Sequence, residues 1–196
     1  MKTDAQLVRM WKQGDRSSFD LLYEKYKNLA LRTAYLICRK KEDSEDILQE
    51  TFVLCHLHIE ELKKEGEFKS WMLRILVREA YRMLKEKQRE IPDEEIGLRL
   101  SGQTVPDILD QEIARDQELT ILSAIDQLSP NHRLAVILYY YDELSVKEIA
   151  RVTGCLEGTV KSRLYFARRK LRSILEKEAD YEKRWIGPTD QAHVKG

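Results

Sequence analysis

LSPNHRLAVILYYYDELSVKEIARVTGCLEGTVKSRLYFARRKLRSIL, residues 128–175, decides the fold of this chain. Ser129 followed by Pro130 marks a helix start, a capping hydroxyl and then a proline at the first helical position. Leu134, Ile137, Leu138 and Tyr141 recur behind it at helical spacing. Ser145 and Glu148 form a capping box, in which hydroxyl and carboxylate each satisfy an orphan backbone donor. The short helix they open carries Val146, Ile149, Ala150 and Val152 inward. It stops at Gly154, the residue type that tolerates a left-handed turn.

A third helix begins near Glu157, and its faces sort at roughly 100° per residue. Val160, Leu164, Ala167, Leu171 and Ile174 fall on one side; Thr159, Lys161, Ser162, Tyr165, Phe166, Arg169 and Arg172 fall on the other. Between Thr159 and Arg172 there are six basic residues and no acidic one. A short helix, a glycine turn and a basic helix with hydroxyls at its start make a helix-turn-helix of the kind that enters a major groove. A plain basic amphipathic helix on a bundle surface is the alternative. Ala150, Gly154 and Val160 weigh against it, supplying together the small, turn and core positions of the motif. The expected duplex contacts are Thr159, Lys161, Ser162, Arg163, Tyr165, Phe166, Arg168, Arg169 and Arg172.

The whole chain sets limits on what this unit can serve. Its 196 residues have room for one large domain or two small ones. With 42% hydrophobic and 35% charged residues, eight glycines and four prolines, a largely helical globular protein is expected. No apolar run approaches the roughly 20 residues of a membrane span, and the polar start MKTDAQLVRMWKQGD does not read as a signal peptide. Cys38, Cys55 and Cys155 are odd in number and lie inside apolar patterns, which points to buried thiols in a reducing cytoplasm. In Cys55-His56-Leu57-His58 only Cys55 and His58 share a helix face, and no second ligand pair follows, so no metal site is expected. Scattered histidines and the absence of a glycine-rich phosphate loop leave no active site, and neither an enzyme nor a cofactor is expected.

Formal net charge is zero, but the charge is segregated. Ten acids face two bases between Glu90 and Asp126, and seven bases face two acids between Phe68 and Arg89. A partner feels that distribution rather than its sum.

In chain order, a first helix over residues 3–15 ends at Gly14. Ser17 or Ser18 then caps a long helix whose stripe of Phe19, Leu22, Tyr23, Tyr26, Ala30, Thr33, Ala34 and Ile37 is core. KKEDSEDILQETF opens the next helix with Glu42, Asp43, Glu45, Asp46 and Glu50, five acids in nine residues. The helix dipole explains them in part; an acidic patch beside an exposed Leu48 and Gln49 that receives a basic partner helix explains them equally. That helix ends near Leu62. The helix from Lys69 to Arg89 buries Met72, Leu76, Ala80, Met83 and Leu84. Trp71, Arg74, Arg78, Arg82, Lys85 and Arg89 gather within about 80° on its other side. Arginines bind phosphate and an aromatic face stacks on unpaired bases; alternatively, the indole is covered by arginine stems. Residues 91–117, acidic and interrupted by Pro92, Gly97, Gly102 and Pro106, read as a flexible linker. Leu119, Leu122, Ile125 and Leu128 then open the C-terminal unit, and residues 179–196 read as a polar tail. Leu156, where a capping residue is common, leaves the recognition helix weakly capped.

Residues 128–171 closely resemble the C-terminal promoter-binding domain of extracytoplasmic-function (group 4) RNA polymerase sigma factors, in "LS", "EIA" and "GTVKSRL..AR.KL". "EDSEDILQETF" resembles the segment with which that family docks on the β′ clamp helices of RNA polymerase, which implies Glu45, Asp46, Leu48, Gln49 and Glu50 as contacts. "EFKSWMLRI" resembles the family segment that melts the minus-ten element and reads it as single-stranded DNA. That likeness implies Phe68, Lys69, Ser70, Trp71, Arg74, Arg78 and Arg82 as contacts. Arg78 and Arg82 stand where the family usually has asparagine and aspartate, a departure that bears on sequence preference.

The resemblance implies an all-α protein of two small helical domains joined by a flexible acidic linker. Residues 1–90 would bind polymerase and the minus-ten element. Residues 91–117 would be the linker, and residues 118–178 would bind the minus-thirty-five element. Partners would be core RNA polymerase through its β′ clamp helices and β subunit, promoter DNA, and an anti-sigma factor, often held at the membrane. The competing class is a stand-alone dimeric helix-turn-helix regulator, which needs no polymerase to bind its duplex.

Overall fold

In the computed structural model, residues 2–90 and 121–185 are described, the side chains of 88–90 and 177–185 excepted. Every described element is helical. The order is α1 (Asp4–Lys12), α2 (Arg16–Cys38), α3 (Lys41–Leu57), α4 (Phe68–Glu90), α5 (121–126), α6 (Pro130–Val136), α7 (Val146–Thr153) and α8 (Glu157–Trp185). Two single 3-10 turns, Ile59–Glu61 and Glu65–Glu67, carry the chain from α3 to α4.

Local chemistry sets the boundaries. Thr3 and Gln6 make a capping box on α1, which ends before Gly14 at φ +94°. Asp15, not Ser17 or Ser18, caps α2. Its carboxylate accepts from the Ser17 backbone N–H at 3.1 Å and from both serine hydroxyls at 2.7 Å. A carboxylate outcompetes a hydroxyl here because its acceptors are charged. Ser129 sits at the N-cap of α6 without donating or accepting a capping bond, so the proline, and not the hydroxyl, starts that helix. The last turn of α6 widens into a π-turn over Ile137–Tyr141, which delivers Asp142 inward. Ser145 and Glu148 form the expected capping box on α7. α3 ends at Leu57 rather than near Leu62, and α8 runs to Trp185, past the expected tail boundary at 179. The expected linker over 91–117, Leu119, and residues 186–196 lie outside the described residues.

α1 to α4 pack around Leu22, Ala30, Ile47, Phe52, Phe68, Met72, Leu73 and Leu76, and α5 to α8 around Ile125, Leu138, Ile149, Val160 and Ala167. The stripe expected on α2 is buried, with Phe19 and Tyr23 half-buried at its start. Buried apolar side chains run continuously from the first unit into the second, because α7 packs on α4. That contact positions the faces described next.

Candidate nucleic-acid interface

The turn between α7 and α8 sets the recognition helix. Gly154 adopts φ +65°, ψ +31°, and the Cys155 N–H then reaches the Ala150 carbonyl at 3.1 Å. Nothing lies near a Cβ built on Gly154, so glycine answers a backbone demand there, not a spatial one. Val160, Leu164 and Ala167 anchor α8 in the core. Lys161, Ser162, Tyr165, Arg169 and Arg172 stand exposed on the opposite side, with Thr159 half-buried at its edge.

Three expected contacts are otherwise engaged. Arg168 donates to the Tyr140 hydroxyl at 2.8 Å and lies over the rings of Tyr139 and Tyr140. Phe166, although half exposed, stacks on His132, ring centroids 6.4 Å apart. Arg163 reaches the Cys155 sulfur at 3.7 Å and turns toward the N-terminal unit. On the wheel Arg163 and Arg168 flank the buried stripe, so the core draws them sideways. Cys155 is half-buried, unlike Cys38 and Cys55. Burial pushes the Cys55 thiol up to about 12, which leaves it an unreactive core side chain.

The second basic face lies along α4. Phe68 is fully buried among Trp11, Tyr26 and Trp71, and Ser70 is buried with its hydroxyl donating to the Glu67 carbonyl at 3.1 Å. Both were expected as contacts, but their side chains turn inward at the two edges of the buried face of α4, which leaves neither exposed to a strand of DNA. Lys69 donates to the Asp142 carbonyl across the two units. Trp71 is half-buried. One side of its indole meets Phe68, ring centroids 6.1 Å apart, and the other lines a cavity of about 550 Å³. Arg74 and Arg78 line the same cavity, as do His58 from the α3–α4 connection and Thr153, Gly154 and Arg163 from the C-terminal unit.

Pattern-reading did not reveal Glu79. It is 5% exposed, bonds Arg82 at 2.6 Å and pairs with Arg78 at 3.5 Å; Glu86 adds a second carboxylate to Arg82 at 3.0 Å. Arg82 is therefore held along the helix by two acids, and these hydrogen bonds raise its pKa further. The arginines in the two departing positions come with their own counter-charge on the same helix.

On α3, Glu42, Glu45, Asp46, Gln49 and Glu50 are exposed and side by side, while Leu48 is half-buried against the core rather than exposed. Asp43 does not join them. It is buried and takes an ion pair from Lys87 of α4. A groove of about 830 Å³ adjoins the acidic face, lined by Phe19, Tyr23, Gln49, Phe52, Val53 and Leu57. Val53 and Leu57 are 51% and 68% exposed, an apolar edge that the acid pattern did not announce. Among the described residues no group of three His, Cys, Asp or Glu side chains is placed to hold a metal ion.

Comparison with known proteins covers both units. Residues 22–90 match the family model of sigma-70 region 2, and residues 118–171 match that of sigma-70 region 4. The chain is 30% identical to the RNA polymerase sigma-H factor of Pseudomonas aeruginosa, over 88% of this chain and 94% of that one. It is also 30% identical to the extracytoplasmic-function sigma factor SigW of Bacillus subtilis, over 86% of this chain and 94% of that one. Among solved structures, the sigma factor RpoE in complex with the anti-sigma factor NepR from Bartonella quintana superposes with a TM-score of 0.68 at 25% identity, over 81% of this chain and 96% of that one. CnrH in complex with the cytosolic domain of CnrY shares the fold, with a TM-score of 0.68 at 19% identity over 90% of this chain and 99% of that one.

Proposed function

The chain belongs to the extracytoplasmic-function RNA polymerase sigma factors, and from that premise we propose how its faces divide the work of starting transcription. It is an alternative sigma factor that directs RNA polymerase to promoters. The N-terminal unit, residues 1–90, is the polymerase-binding and promoter-opening half; the C-terminal unit, residues 118–178 and the continuation of α8, reads the upstream element. Lys161, Ser162, Tyr165, Arg169 and Arg172, with Thr159, face the major groove of the minus-thirty-five duplex. Thr159, Lys161, Ser162, Tyr165 and Arg169 read base edges, and the remaining lysines and arginines of α8 hold register through phosphates.

Trp71, Arg74 and Arg78 meet the minus-ten element as a single strand. The indole stacks on an unpaired base and the guanidinium groups hold its phosphates. Glu45, Asp46, Gln49 and Glu50 accept basic side chains of the β′ clamp helices, and the apolar edge at Val53 and Leu57 extends that contact. No bond is made or broken by this protein; polymerase supplies the chemistry. Its place of action is the cytoplasm, where promoter DNA and polymerase are; among the described residues no helix is long and apolar enough to cross a membrane. RpoE and CnrH are each bound by a protein partner, and the present chain takes an anti-sigma factor of that kind.

The observation that carries this reading is one chain presenting two basic faces, one with the exposed Tyr165 and the other with the half-buried Trp71 among its cations, and a separate acidic face. A mobility-shift titration of promoter duplex with the chain, alone and with core polymerase, tests it. A specific complex that requires polymerase is expected. Tight specific binding by the chain alone, with two-fold half-sites, would instead identify a dimeric regulator.

A further inference from the structure

Gly158 is a glycine that the fold of the free chain does not require. It is the second residue of α8, helical in backbone and exposed. Its φ lies outside the left-handed range that Gly14 and Gly154 occupy at +94° and +65°. A Cβ built on it meets nothing within 4 Å, so no neighbouring element needs the space either. An alanine here would fit the helix and restrict the unfolded chain, which stabilises a protein. Gly66 is equally open, but it lies in the turn Glu65–Glu67, outside any α-helix.

The place of Gly158 on α8 supplies the missing reason. Gly158, Ser162, Tyr165 and Arg169 are all exposed and fall within about 60° of one another on the helical wheel. They lie opposite Val160, Leu164 and Ala167, which anchor the helix in the core. This is the centre line of the face assigned to the upstream duplex. Side-chain size grows along it, from none at Gly158 to the small Ser162, whose hydroxyl turns back to the Thr159 carbonyl at 2.9 Å. The tyrosine ring and the arginine guanidinium follow. A helix tapered in this way fits a groove with its N-terminal end deepest, the general approach of recognition helices. A helix with its side chains is about 10–12 Å across and the major groove about 12 Å wide, so little room is left at that end. Glycine is the residue that lets a backbone come close to a ligand.

We propose that Gly158 is a clearance position, where upstream-element DNA comes into van der Waals contact with the backbone of α8. The missing side chain sets how deeply the helix seats, and thereby lets Ser162, Tyr165 and Arg169 reach the base edges. The clearance rests on the assignment of α8 to the upstream element. Stability given up in the free chain is the mark of such a position, because the demand comes from the bound duplex alone.

Gly158→Ala, the bulkier Gly158→Leu and Arg169→Ala test it in the full chain with core polymerase. Affinity is measured on a promoter duplex carrying both elements and on one truncated before the upstream element, and each variant is melted alone. On the complete promoter Gly158→Ala should bind at least fivefold more weakly than wild type, and Gly158→Leu more weakly still. On the truncated duplex both should match wild type. The melting temperature of Gly158→Ala should rise by about 1–4 °C. Wild-type affinity of Gly158→Ala for the complete promoter, beside a loss in Arg169→Ala, overturns the clearance and leaves the assignment of α8 standing. A lowered melting temperature, or an equal loss on the truncated duplex, gives the glycine a structural role and overturns the clearance as well. If Arg169→Ala binds like wild type and truncation costs wild type nothing, the assignment of α8 falls and the clearance falls with it.

Discussion

Thr33 and Asp142 stand 109 positions apart in the chain, and their side-chain oxygens lie 2.7 Å apart in a buried contact between the two units. The Thr33 oxygen is also 2.9 Å from the Leu29 carbonyl. A hydroxyl has one proton to donate. If it goes to Leu29, the contact with Asp142 is satisfied only by a protonated carboxyl that donates to Thr33. The other Asp142 oxygen is buried with no partner among the described residues, a costly place for a full negative charge.

That geometry makes the packing of the two units on each other, the closed form, pH-dependent. Burial pushes the Asp142 carboxyl up to about 6, opposed by the Thr33 hydrogen bond and by the positive charges of Lys69 and Arg32. In an opened chain Asp142 regains an ordinary carboxyl value near 4. The closed form thus binds its proton more tightly, and closure strengthens as pH falls from about 6 toward 4, by at most roughly tenfold per unit. Small-angle scattering should show a smaller radius of gyration at pH 5 than at pH 7.5. Asp142→Asn, a permanent neutral mimic, should stay compact at both; a native radius that does not change with pH would contradict this.

Trp71→Ala should impair strand opening far more than duplex binding. The lost stacking amounts to about 1–3 kcal/mol, and Trp71→Phe should recover most of it. Permanganate reactivity of minus-ten thymines in the polymerase complex reports opening, and mobility shift reports binding. Equal loss in both assays would assign the indole to structure alone.

Two acids of α3 separated by one turn should behave oppositely. Asp46→Ala, at an exposed position, should weaken polymerase binding in a salt-dependent way and leave the melting temperature within about 2 °C. Asp43→Ala leaves Lys87 without its buried partner and should cost about 1.5–3 kcal/mol of stability. Thermal melts and a polymerase pull-down, run on both variants, separate the roles. A stability loss at Asp46 matching that at Asp43 would remove the distinction.

Neighbouring arginines on α8 should also diverge. Arg169→Ala should reduce binding to the upstream element by about 1–3 kcal/mol and relax its sequence preference. Arg168→Ala removes a cover from Tyr139 and Tyr140 and should act on stability first. Binding measured against wild-type and substituted duplexes, beside denaturant melts, would show a reversed order if the assignment were wrong.

The helices and the helix-turn-helix were legible because they rest on local rules. Ser145 and Glu148 cap α7, Gly154 turns it, and the apolar period of α8 names its buried face, all within a few residues of chain. What escaped was set at long range. Nothing near Glu79 announces that α4 buries it between Arg78 and Arg82, and Asp43 looks like its exposed neighbours until α4 brings Lys87 to it. The resemblance implies Phe68 and Ser70 as contacts, but both lie at the edges of the buried face of α4 and turn inward. The packing of α7 on α4 joins residues from opposite ends of the chain, and no periodicity carries that information.

Run-off transcription from a promoter library, with core RNA polymerase in the presence and absence of this chain, tests the central claim most directly. Transcripts that start only when both are present, from promoters sharing two elements at a fixed spacing, are the expected result. Transcription indifferent to the chain, together with tight polymerase-independent binding to duplex, would contradict it.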